Sequence, residues 1–255
     1  MIRKTKSYLA RLDNLKINKV KFPLNIFLFI LLKLINTYRW SVSLFIKNKI
    51  DNLNSFYSKI FIYWYSGNEG HTQQNEEETA FLKDISKNSS QILEIGFNGG
   101  HSSETFLKSK NLVKLTSIDI GFHHYVKFGE YFLKNKYKNK FNLIISDSTI
   151  ALKELVKKNK KFDLIFIDGS HHYETVKEDL SNALLLSHEK TLILMDDVYL
   201  RERDEEKLDL DLHNNGPTRV WQEFVDSKKV IEADYLSFKA QNTNKRSLVY
   251  GKIKT

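Results

Sequence analysis

The stretch F-D-L-I-F-I-D-G-S-H-H-Y-E, residues 162–174, decides how the rest of the chain is read. Leu164 to Ile167 is an apolar, partly β-branched run, the pattern of a strand buried on both faces. It stops at Asp168 and Gly169, and a cluster of ionisable side chains follows. In open α/β sheets the ligand crevice lies outside the carboxyl ends of the strands. A carboxylate and two histidines at such an end point to chemistry.

Outward from this stretch the pattern alternates. The periodicity predicts a helix over 77–87 and strands near 91–95, 113–118, 141–146, 162–167 and 190–195. Helices are expected near 101–109, 124–135, 149–158 and 173–186, with one more from Pro217 to about 226. Two final strands, 230–238 and 246–253, flank the polar turn Gln241 to Lys245. Short buried strands alternating with helices give an α/β, doubly wound, mostly parallel sheet covered on both faces.

The 255 residues suffice for one such domain and an appendage. No cysteine is present, which excludes disulfides, thiolate metal sites and cysteine nucleophiles and fits a reducing, cytoplasmic setting. The net charge of +9 is placed unevenly. Residues 1–70 hold twelve Lys/Arg against Asp13, Asp51 and Glu69, while the remainder balances 28 basic against 28 acidic residues. The basic character therefore belongs to residues 1–70, read as a helical, basic-hydrophobic extension, with Ser66 to Gln74 as linker and 71–255 as the main domain. Leu24 to Ile35 is apolar at helical spacing but short of the roughly 20 residues a bilayer demands. Three readings of the arm stand: helices packing on the body or on a second subunit in a homo-oligomer, a membrane-surface anchor formed by residues 1–65, or a transmembrane or nucleic-acid-binding segment.

The first strand runs Q-I-L-E-I-G-F-N-G-G-H-S, placing Glu94, Gly96, Gly99 and Gly100 before a helix that opens at His101–Ser102. Glycines there allow a sharp turn and close approach to a ligand, and the helix start offers free N–H groups. Asp119 ends the second strand, 23 residues after Gly96, where an acid can bond ribose hydroxyls. Asp147 and Ser148 end the third strand at the same rim, placed to meet an adenine, although Asp at such a position also caps helices.

Together, Glu94-x-Gly96-x-x-x-Gly100-x-Ser102, Asp119, Asp147 and Asp168-Gly-x-His171-x-Tyr173-Glu174 resemble the class I S-adenosylmethionine-dependent methyltransferases. The nearest branch looks like the macrocin-type and catechol-type O-methyltransferases. The resemblance covers about 77–255 and implies a Rossmann-like, seven-stranded sheet whose last strand is antiparallel. It also implies that Glu94, Gly96, Gly100 and Ser102 line the methionine side of the cofactor, Asp119 the ribose, and Asp147 with Ser148 the adenine.

The fifth strand ends in Asp196 and Asp197, which as a neighbour of the fourth brings them toward Asp168. Three clustered carboxylates repel one another unless a cation sits among them, and oxygen ligands favour Mg²⁺ over Mn²⁺ or Ca²⁺. Acids at these strand ends hold a divalent metal in the resembling metal-dependent enzymes. His171 lies three residues after Asp168, within reach of a metal-bound hydroxyl, and the macrolide-sugar enzymes carry a histidine at the matching position. His172 reads as surface, Tyr173 and Glu174 as the helix start that orients the loop, and Trp221 with Phe224 as core. The polar run from Arg201 to Pro217 suits either a substrate lid or a solvated loop. The expectation is metal-assisted O-methylation of a small-molecule hydroxyl, a sugar being favoured. An inactive cofactor-binding or membrane-tethered scaffold is the alternative. A nucleic-acid methyltransferase is disfavoured by the neutral body and by the lack of an Asn/Asp-Pro-Pro-Tyr motif.

Overall fold

The computed structural model describes residues 76–199, 215–239 and 245–254; the N-terminal extension and the run 200–214 lie outside them. Helix α1, Glu76–Ile85, opens with three glutamates, which complement the positive end of its dipole. Then follow β1 (Gln91–Ile95), α2 (His101–Leu107), β2 (Lys114–Asp119), α3 (His124–Tyr137), β3 (Phe141–Ile145) and α4 (Ser148–Lys157). The remaining elements are β4 (Phe162–Ile167), α5 (Tyr173–Leu185), β5 (Ser187–Val198), α6 (Gly216–Asp226), β6 (Val230–Lys239) and β7 (Lys245–Ile253).

One seven-stranded sheet has the order β3-β2-β1-β4-β5-β7-β6. Strands β1 to β5 pair in parallel, and β7 runs antiparallel to both β5 and β6. This is the expected doubly wound architecture with its reversed last strand. The order turns outward in opposite directions from β1 and from β4, so the crevice falls between their carboxyl ends.

Alternate residues of β4 face opposite layers. Ile165 and Ile167 join a buried cluster with Leu152 of α4, Leu180 of α5 and Trp221 of α6. On the other face the ring of Phe166 meets Phe106 of α2 edge-on, with centroids 5.8 Å apart. Burial on both faces explains why the strand reads as a continuous apolar run. Trp221 is fully buried and Phe224 nearly so, as expected for core positions.

Strand β5 is longer than its apolar stretch, beginning at Ser187. The polar start S-H-E-K-T does not read as a strand, yet Ser187 pairs with Phe162. The Thr191 hydroxyl secures this end, donating to the Phe162 carbonyl at 2.6 Å and accepting from the His188 N–H at 2.7 Å. Below the crevice, Asp163 joins three strands. Its Oδ2 accepts the N–H and hydroxyl of Ser90 and the N–H of Gln91, each at 2.8 Å, and its Oδ1 lies 3.0 Å from His188 Nε2. Partial burial raises its pKa, but these bonds outweigh that and hold it below the usual carboxylate value.

Candidate active site

A cavity of about 410 Å³ opens at the carboxyl ends of β1 to β4, and its wall includes Gly96, Asp119, Asp147, Ser148, Asp168 and Ser170. Five of the sequence-predicted positions thus meet in one space. His123, Tyr125 and Thr175 also line it, from α3 and its approach and from α5. The ring of His123 stacks on that of Tyr125 at 4.8 Å, a tertiary contact with no periodic signal in the sequence.

Gly96 makes the crevice possible. It has φ +96°, and a Cβ there would stand 1.8 Å from the Asp168 carbonyl oxygen. The two loops are sealed by backbone bonds, Gly96 N–H to the Ile118 carbonyl at 2.9 Å and Asp168 N–H to the Ile95 carbonyl at 2.8 Å. Only glycine satisfies both the conformation and the approach.

Asp119 organises the adjoining loops. Its Oδ2 accepts the N–H groups of Phe97 at 3.1 Å and Asn98 at 2.9 Å, and its Oδ1 accepts that of Gly121 at 2.7 Å. A carboxylate offers about four acceptor sites, so capacity for a ligand hydroxyl remains. Asp147 is both a helix cap and part of the cavity wall. It caps α4 through the Thr149 N–H (2.9 Å) and hydroxyl (2.7 Å).

Glu94, Gly100 and Ser102 are placed differently from the sequence expectation, since none of them lines the cavity. Glu94 is wholly buried and accepts the hydroxyls of Ser102, Ser103 and Ser117, the last at 2.6 Å. It fastens α2 to β1 and β2 from beneath. Burial pushes its carboxyl up to about 7 despite the three hydroxyl bonds, with Asp119 adding repulsion. Gly100 caps α2 with φ 85°.

The second feature is a pair at the rim. His171 Nε2 lies 2.8 Å from Asp197 Oδ2, with the imidazole 43% exposed and the carboxylate 16% exposed. Asp197 occupies the left-handed region at φ 58°, where the register between β5 and β7 shifts. A non-glycine residue there is strained, and such strain persists only when the surroundings enforce it. The loop bearing His171 is held from two sides. A Cβ on Gly216 would stand 2.1 Å from the His171 carbonyl oxygen, so glycine lets α6 press directly on the loop. Tyr173 donates its hydroxyl to Glu223 at 2.8 Å, and Lys177 and Arg219 both approach that carboxylate. Gly216 and Glu223 carry no local sequence signal for this role, because it depends on contacts 40 to 50 residues away.

Asp168 and Asp196 follow the paired residues Ile167 and Met195, so they leave neighbouring strands side by side. Asp196 is 2% exposed and accepts the Asp197 N–H at 2.7 Å, while Asp197 turns to His171. Among the described residues no group of three His, Asp or Glu side chains is placed to hold a metal ion. The three-aspartate set expected from the sequence is therefore not gathered here. Its third member is directed to the histidine instead.

Residues 93–198 match the family model described as a methyltransferase domain. That span runs from within β1 to the end of β5 and contains every residue named at the cavity and in the His171–Asp197 pair. No curated protein matches the chain. Among solved structures, an O-methyltransferase from Bacillus cereus in complex with SAH is 17% identical, with a TM-score of 0.65 over 86% of this chain and 100% of its own. The O-methyltransferase TomG from Streptomyces achromogenes, in complex with SAM, is 15% identical, with a TM-score of 0.57 over 71% and 82%. The N-methyltransferase NodS from Bradyrhizobium japonicum, in complex with SAH, is 14% identical, with a TM-score of 0.53 over 70% and 85%. The shared fold is that of the class I methyltransferases.

Proposed function

We propose that this chain, whose residues 93–198 form a methyltransferase domain on the class I fold, moves the methyl group of S-adenosylmethionine to a hydroxyl oxygen of a small molecule. The observation that carries the reading is the His171–Asp197 pair, 2.8 Å apart, beside a cavity that the methyltransferase-domain span encloses. O-methylation is favoured over N-methylation because a hydroxyl must lose its proton during attack, and this rim supplies a histidine oriented by a carboxylate. A sugar hydroxyl is the favoured acceptor, on the resemblance of His171 to the macrolide-sugar enzymes.

In this reading Asp119 accepts the ribose hydroxyls with its remaining acceptor capacity. Asp147 and Ser148 face the adenine, and the glycine turn at Gly96 admits the cofactor between β1 and β4. Bound there, S-adenosylmethionine supplies an electrophilic methyl on a sulfonium, which leaves as the neutral thioether when the acceptor oxygen takes the methyl. Asp197 holds the Nε2–H tautomer of His171, so that Nδ1 is the basic nitrogen that receives the acceptor proton. Positioning of acceptor and donor supplies much of the rate.

No step here passes through a metal. Assays with EDTA and with added Mg²⁺ address the remaining sequence expectation. EDTA-insensitive turnover fits the His171–Asp197 pair acting alone; loss of turnover restored by Mg²⁺ assigns Asp168 and Asp196 to an ion.

The function is tested by calorimetry with SAH, then by labelled-methyl transfer to a panel of sugars and polyphenols. His171→Ala is expected to keep SAH affinity and lose turnover by about 10²- to 10⁴-fold. Turnover equal to wild type would remove His171 from the mechanism. Tight SAH binding without transfer to any acceptor supports the cofactor-binding scaffold instead.

A further inference from the structure

One buried acid near the cavity is unused by this mechanism. Asp179 lies on α5 one turn beyond Thr175, which lines the cavity, and it is 0% exposed. Neither of its carboxyl oxygens makes a completed hydrogen bond. The Ser148 hydroxyl lies against it without the distance and angles of a formed bond. Ser148 is the first residue of α4 and itself lines the cavity. Buried carboxyl groups in folded proteins are nearly always paired, so an unpaired one beside a ligand cavity calls for an explanation.

We propose that Asp179 is a positioning residue: its carboxyl, closed off behind the cavity wall, sets which way the Ser148 hydroxyl points and so whether the cavity offers a donor to a purine ring. The proposal rests on the cofactor reading above. A neutral Asp179 donates its O–H to Ser148 Oγ, and the Ser148 proton is then free to turn into the cavity. An ionised Asp179 can only accept, so it draws that proton away from the cavity. The ring nitrogens of adenine are acceptors and pair with the first arrangement.

The surroundings bring the exchange between neutral and ionised forms close to neutral pH. Desolvation pushes the Asp179 carboxyl up to about 7, and repulsion from Asp147 and Glu178 adds to burial, while Ser148 opposes it. Of the acids facing it, Glu178 on its own helix is paired with Lys153 of α4, and Asp147 caps α4 through the Thr149 N–H. Cofactor affinity thereby becomes sensitive to pH through a residue that never touches the cofactor.

The test is SAH binding to the full chain by calorimetry between pH 5.5 and 8.5. Wild-type affinity is expected to fall by about five-fold across this range, the magnitude of one ordinary hydrogen bond. Asp179→Asn retains a donor toward Ser148 at every pH and is expected to bind as wild type does at low pH, without that component of the fall. Ser148→Ala is expected to bind about five-fold more weakly at low pH and to lose the same component. An Asp179→Asn profile that follows wild type overturns the proposal. Absence of SAH binding by wild type overturns the cofactor reading itself. In that case a ¹³C titration of the Asp179 carboxyl in the free chain still decides the Ser148 coupling, because the midpoint must move in Ser148→Ala.

Discussion

Glu94 shows how far a residue's position can be read from sequence while the direction of its side chain cannot. It stands where the motif requires, yet its carboxyl is turned into the protein beneath three serine hydroxyls. Its pKa is raised from 4.5 to about 7 by burial. The folded state therefore holds the proton more tightly than the unfolded state. The stabilising contribution is complete below about pH 4.5 and is lost as pH rises through about 7. Across that window the loss amounts to roughly 3 kcal/mol. In denaturant titrations, Glu94→Gln is expected to flatten the decline in stability between pH 5 and pH 8. An unchanged slope would show that the carboxyl is not desolvated as the packing implies. Gly96 is the converse case, legible from sequence as a glycine turn but explained only by the Asp168 carbonyl in the space a Cβ would take.

At the scale of elements, the loop between β4 and α5 is the part of the motif that contacts from α6 brace. Tyr173, Lys177, Arg219 and Glu223 tie the start of α5 to α6, and the Arg219 guanidinium lies 4.5 Å from the centroid of the Tyr173 ring. None of these four side chains lines the cavity. Glu223→Gln weakens this network without emptying the core and is expected to lower turnover by about ten-fold through misplacement of His171. SAH affinity should stay within about two-fold of wild type, since a hydrogen bond made elsewhere is not part of the cofactor wall. An equal loss of binding and turnover would instead mean that α6 supports the whole cavity. Strand and helix positions were legible to within a few residues because burial imposes periods of two and 3.6 on the sequence. The start of β5 was not, because hydrogen bonds from Thr191 rather than apolar burial carry the chain from Ser187.

For the whole molecule, charge is divided between an extension that carries all of the net +9 and a balanced body. No helix among the described residues is long and apolar enough to cross a membrane. The basic, aromatic-containing residues 1–65 are proposed to contact anionic membrane surfaces. The full chain is accordingly expected to sediment with anionic vesicles at low salt, and a 66–255 chain to remain in the supernatant with its SAH affinity intact. Equal sedimentation of both places the association in the body. A truncated chain that is insoluble means that the extension covers an apolar face of the body or of a second subunit. The same truncation tests whether 71–255 is an independent domain.

From sequence alone came the alternation of strands and helices, the doubly wound class, and the rim where Asp119, Asp147, Ser148 and Asp168 meet. These follow from local rules, since periodicity marks burial and parallel strands present their carboxyl ends together. The tertiary structure decided which way each polar group turns. Glu94 faces inward because three serines from two elements converge on it. Asp197 faces His171 because a strained residue at the β5 irregularity is met by a loop pressed in place by Gly216. Asp179 stands behind Ser148 because α4 and α5 pack together. Such orientations depend on partners tens of residues away, and a pattern of neighbours along the chain contains no record of them.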